Sequence, residues 1–196
     1  MILPRSFYEQ DTIDVARDLL GCYLVHQEVK GTTIGRIVED EAYLENDRAA
    51  HSYRGMTNRN RVLFGPPGRS YVFFIYGMHC CVNAVTATEG KGEAVLIRAL
   101  EPADGISLMQ TRRETDKLIA LCSGPGKLTQ ALHVTMDDNG LSLSDSTLQI
   151  WSGDSIPDFQ PPTGDQIVQT TRIGISKARD LPLRFYIRGN RFISRK

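Results

Sequence analysis

No acidic residue occurs between Arg48 and Thr88, although acids and bases balance at 23 each over the 196 residues. That stretch carries Arg48, Arg54, Arg59, Arg61 and Arg69. From Lys177 to Lys196 seven basic residues stand against one acid, Asp180, whereas Leu128 to Thr171 holds six aspartates and no Lys or Arg. The zero net charge therefore conceals a polarised molecule, with one face able to meet phosphates and another that avoids them.

Long apolar runs are missing as well. None approaches the roughly 18 residues of a membrane span, and the N-terminus lacks the basic-then-apolar pattern of a secretory signal. An intracellular protein without a membrane partner is expected, in the cytoplasm or nucleoid if the source is bacterial. Cysteine is sparse, at Cys22, Cys80, Cys81 and Cys122, with no C-x-x-C spacing. Reduced structural thiols are expected, rather than disulfides or a zinc site. A nucleotide-hydrolysing P-loop is excluded too, since Ser123-Gly124-Pro125-Gly126-Lys127-Leu128 is preceded by Leu121 where glycine is needed and ends in Leu128 instead of Ser or Thr. Lys127 at a helix start still suits a backbone phosphate. Neither a metal nor an organic cofactor is indicated.

A hydrophobic fraction of 41% and this length fit one domain, 1–196, with a sizeable core. Asp11 or Thr12 caps a helix to Leu20, with Gly21 as its stop. Cys22 to Glu28 and Thr32 to Val38 read as paired strands around Lys30-Gly31. Tyr71 to Ile75 and His79 to Val85 read as a β-hairpin whose tip carries Tyr76 and Met78. Large apolar side chains at a tip suggest something to be pushed into, and beside a basic loop a wedge into stacked bases competes with packing on the domain itself. Asp104 to Arg113 reads as a helix capped by Asp104, and a second helix opens near Gly126. Leu141 to Trp151, Gln166 to Ile175 and Leu183 to Ile187 have strand character, and Ser152 to Thr163 that of a loop.

The acidic strand Arg36 to Leu44 sets the chemistry. Alternation puts Glu39, Glu41 and Tyr43 on one face and Asp40 on the other. Taken alone, these acids suit a solvated strand end. Against that stands Arg98, embedded in the apolar run Ala94 to Leu100, which needs a carboxylate because an unpaired buried charge costs several kcal/mol. Glu41 and Arg98 are candidates for each other. Arg59 and Arg61 are candidates for phosphate contacts.

Seven segments in order, V-E-D-E-A-Y at 38–43, A-A-H-S at 49–52, R-N-R at 59–61, Y-V-F-F-I-Y-G-M at 71–78, L-I-R-A-L-E-P at 96–102, S-G-P-G-K-L at 123–128 and L-R-F-Y-I-R-G at 183–189, resemble the alkyladenine, or 3-methyladenine, DNA glycosylase family. Each motif alone is weak, but seven in register are specific. The resemblance implies an α+β domain with a curved, mostly antiparallel sheet surrounded by helices and a protruding hairpin near Tyr76. It implies a monomer that binds double-stranded DNA containing damaged purines, flips 3-methyladenine, 7-methylguanine, hypoxanthine or ethenoadenine from the duplex, and hydrolyses the N-glycosidic bond in base excision repair.

By the same resemblance Glu41 is the general base, with Arg98 and the Ile173 carbonyl helping to hold its water. Tyr43 stacks one face of the flipped base and His51 with Phe73 the other, while the Ala50–His51 backbone meets the base edge and Asn83 crowds the position of guanine's amino group. Tyr76 fills the gap in the duplex, flanked by Met78 and His79. Phe73 and His79 depart from the aromatics usual in the family. No lysine falls in the pocket motifs, so water is the expected nucleophile, without a lyase step. A nucleic-acid-binding module without catalysis is the competing reading; the Glu41–Arg98 pair argues against it.

Overall fold

The computed structural model describes residues 1–75, 79–155 and 162–195. It opens with two short helices, α1 (Arg5–Tyr8) and α2 (Thr12–Leu19). Asp11 caps α2 by accepting from the Ile13 amide at 2.8 Å, and Val15, Ala16 and Leu19 on one side of the helix are completely buried. The left-handed conformation of Gly21 (φ 92°) ends the turn and feeds strand β1 (Tyr23–Glu28).

A tight connection joins β1 antiparallel to β2 (Gly31–Tyr43), the longest strand described. The hairpin predicted from the sequence is β3 (Ser70–Ile75) with β4 (His79–Thr86), paired from Ser70–Ala84 through Ile75–His79. Its tip, with Tyr76 and Met78, lies outside the described residues. β5 (Glu93–Asp104) then pairs with both β4 and β2. Three helices follow: α3 (Ile106–Arg113), α4 (Leu118–Leu121) and α5 (Pro125–Leu132). β6 (Leu148–Trp151), β7 (Ile167–Thr170) and β8 (Arg184–Ile187) complete the sheet.

The sheet is antiparallel throughout its described pairs and curls into a half-barrel, in the order β3-β4-β5-β2-β1-β6, with β8 joining β2 and β7 joining β8. This is the α+β architecture expected. Helix α5 packs on β4 and β5, and α2 on β2 and β5. Between them Leu24, Ile37, Leu100, Leu128, Leu132 and Phe185 are at most marginally exposed. Burial of each such side chain stabilises the fold by about 1.5–3 kcal/mol.

Three expectations about elements change. Asp104 is the last residue of β5 and does not cap α3; the cap position belongs to Gly105, left-handed at φ 69°, where a Cβ would come within 2.4 Å of the Thr32 carbonyl oxygen. Strand character after Gln166 stops at Thr170, because the next residues leave the sheet and turn toward β2. Only the last four residues of Leu141 to Trp151 form a strand, although Ser142 makes an isolated bridge to Arg69. All four cysteines are buried free thiols, as expected.

Candidate active site

The apolar approach of β2 to the middle of the sheet buries its acids instead of solvating them. Glu39, Asp40 and Glu41 all have 0% exposure, which overturns the solvated strand end. Two arginines resolve most of the resulting cost. Arg98 on β5 lies 3.3 Å from Glu41 through Nη1 and donates from Nε to Glu39 at 3.1 Å. Arg184 on β8 donates to Glu39 at 2.8 Å, and the Ser194 hydroxyl does the same. The ion pair read from the sequence is therefore one side of a larger cluster, in which Glu39 holds Arg98 while Arg98 reaches Glu41. A bulge in the β2–β5 register around Glu39 accompanies this arrangement.

Glu41 receives three groups. The Ile173 amide donates to Oε1 at 2.8 Å, the Tyr43 hydroxyl to Oε2 at 2.9 Å, and Arg98 faces Oε2. Burial raises the carboxyl's pKa above the usual range, and Arg98, the Ile173 amide, Tyr43 and Arg172 each pull it back down. Burial likewise pushes the Tyr43 hydroxyl far up, so it remains a donor. Asp40 lacks such company. Neither of its oxygens has a partner among the described residues, and burial beside Glu39 and Glu41 raises its pKa well above the carboxylate range.

Above Glu41 opens a cavity of about 510 Å³ lined by Tyr43, His51, Tyr71, Phe73, Asn83, Arg98 and Ile173, among others. Glu41 lies beneath this floor, behind three of the residues it touches. The walls are aromatic. His51 meets Phe73 edge-on with centroids 4.4 Å apart, Tyr71 stacks with Phe73 at 5.3 Å, and the Tyr71 hydroxyl is 3.0 Å from His51 Nδ1. His51 is exposed by area at the rim. Its ring is nonetheless packed against these aromatics, and loss of water there, with Arg59 nearby, holds its pKa below the ordinary imidazole value.

Asn83 donates to the Tyr71 carbonyl oxygen at 2.9 Å and faces the cavity, as does Ala50. Arg59 reaches the rim and donates to the Phe74 carbonyl oxygen at 3.3 Å, while Arg61 and Lys127 are exposed. Lys127 stands in the first turn of α5, 3.4 Å from the Ser123 hydroxyl.

His79, expected beside the Tyr76 wedge, borders a groove separate from the cavity, with Cys80, Arg112, Thr129 and His133, and its Cβ lies near Gly126. His79 is the first residue of its strand and pairs with Ile75. Ile173 lines the cavity and donates its amide to Glu41, a contact not foreseen beside the expected role of its carbonyl toward the water. Sequence reasoning missed Tyr71 as a wall residue, Asn60 as the clamp that donates to the His51 and Gly55 carbonyl oxygens, and Gly92, where any Cβ would strike Phe64 and Ser52 at 2.8 Å. Tyr71 had a detectable signal, since it precedes Phe73 by two residues on one strand. Asn60 had one as well, as the centre of the R-N-R segment at 59–61, whereas Gly92 carried none beyond loop composition.

The model of the family described as methylpurine-DNA glycosylase matches residues 6–191. The chain belongs to the methylpurine-DNA glycosylase family. Relatives agree over their full extent: a protein of Methanoculleus marisnigri, provisionally named a 3-methyladenine DNA glycosylase, is 64% identical over 196 residues, covering 100% of both chains. Proteins with the same provisional name from Carboxydothermus hydrogenoformans and Francisella tularensis are 50% identical over 197 residues and 54% identical over 188, covering 100% and 94% of each chain respectively. Membership makes the protein a DNA glycosylase, a hydrolase of N-glycosidic bonds in base excision repair, with DNA as its substrate. Among the described residues no helix of this glycosylase is long and apolar enough to cross a membrane.

Proposed function

We propose that this glycosylase flips alkylated or deaminated purines out of double-stranded DNA into the aromatic cavity, and that Glu41 activates the water that displaces the base. The class comprises 3-methyladenine, 7-methylguanine, hypoxanthine and ethenoadenine. The observation that carries the reading is a buried carboxylate set directly under a cavity walled by Tyr43, His51, Tyr71 and Phe73.

Each part of the reaction has a residue suited to it. A purine inside the cage stacks on Tyr43 and on the His51–Phe73 side, and a cationic alkylpurine gains cation–π attraction of roughly 0.5–2 kcal/mol that a normal base does not. Damaged and mispaired bases are also cheaper to unstack, which adds selection before chemistry. As the glycosidic bond breaks, positive charge grows on the sugar, and the Glu41 carboxylate stabilises it. Among the described residues Oε1 accepts from the Ile173 amide alone, which leaves a lone pair for the attacking water. Glu41 takes that water's proton, and Arg98 with the Ile173 backbone holds the water in line. Among the described residues no lysine lines the cavity, which supports a monofunctional enzyme using water and no Schiff base.

Arg59, Arg61 and Lys127 contact backbone phosphates, Tyr76 fills the gap left in the duplex with Met78 and His79 beside it, and one monomer suffices. The test is release of free hypoxanthine from an inosine-containing duplex. Binding of that duplex with no base release, on it or on a 7-methylguanine duplex, would sink the catalytic reading and leave a binding module.

A further inference from the structure

Arg172 stands outside the strands, in the segment that turns back from β7, yet it is buried to 6% exposure. Its guanidinium lies 4.5 Å from the centroid of the Tyr43 ring. Its Nη1 forms a buried ion pair with Asp47 and donates to the Ala42 carbonyl oxygen at 3.0 Å. Asp47 in turn accepts from the Ala49 amide at 2.9 Å through its other oxygen, and its own carbonyl accepts from the Ala50 amide at 2.9 Å. The next residue, Ile173, donates its amide to Glu41.

One ion pair therefore joins three parts of the cavity: the end of β2 with Tyr43, the loop leading to Ala50 and His51, and the backbone that meets Glu41. A planar guanidinium can cover an aromatic ring and keep an in-plane carboxylate partner at the same time, which an ammonium cannot. Tyr43 is thus pinned twice, by Arg172 over its ring and by its hydroxyl bond to Glu41.

We infer that Arg172, braced by Asp47, is a positioning residue for base excision: it fixes the Tyr43 ring for stacking and holds the Ile173 amide on Glu41. This rests on the proposed roles of Tyr43 and Glu41. The charges around Glu41 come from several elements: Arg98 on β5, the Cys81 thiol on β4, Glu39, Asp40 and Tyr43 on its own strand, and Arg172. Arg172 is the cation in this set that enters from outside the sheet.

Two variants separate its functions. Arg172→Lys keeps the charge and loses the planar cover over Tyr43. The paired Arg172→Gln/Asp47→Asn removes both charges together and leaves no lone buried ion. Single-turnover release of hypoxanthine is measured across pH, with duplex affinity and melting temperature recorded alongside. Arg172→Lys is expected to slow release about tenfold with the acid limb of the pH profile unmoved. The paired variant is expected to slow release at least as much and to move that limb to higher pH, since Glu41 loses a neighbouring cation. Duplex affinity should stay within about twofold in both.

Wild-type rates and an unmoved acid limb in folded variants, with only the melting temperature lowered, would overturn the inference and make the pair a structural brace. Should the paired variant not fold, an unchanged rate in Arg172→Lys overturns it alone. A wild-type chain that releases no purine overturns the proposed activity, and this inference falls with it; wild-type release with unchanged variants overturns the inference only.

Discussion

Replacing Glu41 by Gln tests the chemistry most directly, because the substitution preserves shape. The glutamine oxygen can still accept from the Ile173 amide, and the Tyr43 hydroxyl can rotate to accept from the new amide group. Arg98 loses its contact at 3.3 Å but keeps Glu39 at 3.1 Å, so no cation is stranded. Loss of one charge-assisted contact costs about 1.5–3 kcal/mol, well inside the roughly 5–15 kcal/mol of a typical domain. The variant should therefore fold and bind lesion-containing duplex.

Its chemistry should fail for two reasons. A neutral amide cannot take the proton of water, which alone is worth about 10²–10⁴ in rate. It also presents no negative charge to the cationic sugar, an electrostatic term of about 10²–10³ for one well-placed group. Four decades is a conservative joint expectation, about 5.4 kcal/mol of barrier. Hypoxanthine release under single-turnover conditions with excess enzyme measures the chemical step, and fluorescence anisotropy measures binding. Release within about tenfold of wild type, only ~1.4 kcal/mol, would refute Glu41 as the base, whatever the binding.

Three further outcomes are expected. Burial holds the Asp40 pKa well above that of an unfolded Asp, about 3.9; wild-type stability should therefore fall as pH rises from that value, and Asp40→Asn should remove this decline in a series of thermal melts, with an identical pH slope in both proteins counting against the raised pKa of Asp40. Asn83→Ser should gain release of undamaged guanine relative to hypoxanthine, since the group crowding the purine's amino position shrinks; an unchanged ratio with a lower melting temperature would mean that Asn83 serves only its bond to the Tyr71 carbonyl, worth about 1 kcal/mol. Log affinity for duplex should fall steeply with log salt despite zero net charge, and Arg59→Ala or Arg61→Ala should each flatten that slope by about 0.9; a slope already flat in the wild type would place the DNA face elsewhere.

Local order was legible from residue order alone. Apolar periodicity and Asp11 marked α2, alternation marked β1 through β4, and the cation inside β5 demanded a carboxylate. That last inference needed only the cost of burying a charge, and it found Glu41. It did not find Glu39, because a one-to-one pairing argument stops when the first partner is supplied, whereas the fold brings Arg184 and Ser194 to the same carboxylate from far along the chain. The motifs also carried the family, since motif order survives without coordinates.

Tertiary structure decided what no local pattern encodes. Whether three consecutive acids are solvated or buried depends on what packs over the strand, and β5 on one side with β8 on the other bury all of them. Arg172 and Ile173 looked like a strand continuing from Gln166. Their importance comes from leaving the sheet, because only a chain free of its ladder can bring a side chain over Tyr43 and a backbone amide to Glu41, contacts made across about 130 residues of sequence and invisible to any periodicity.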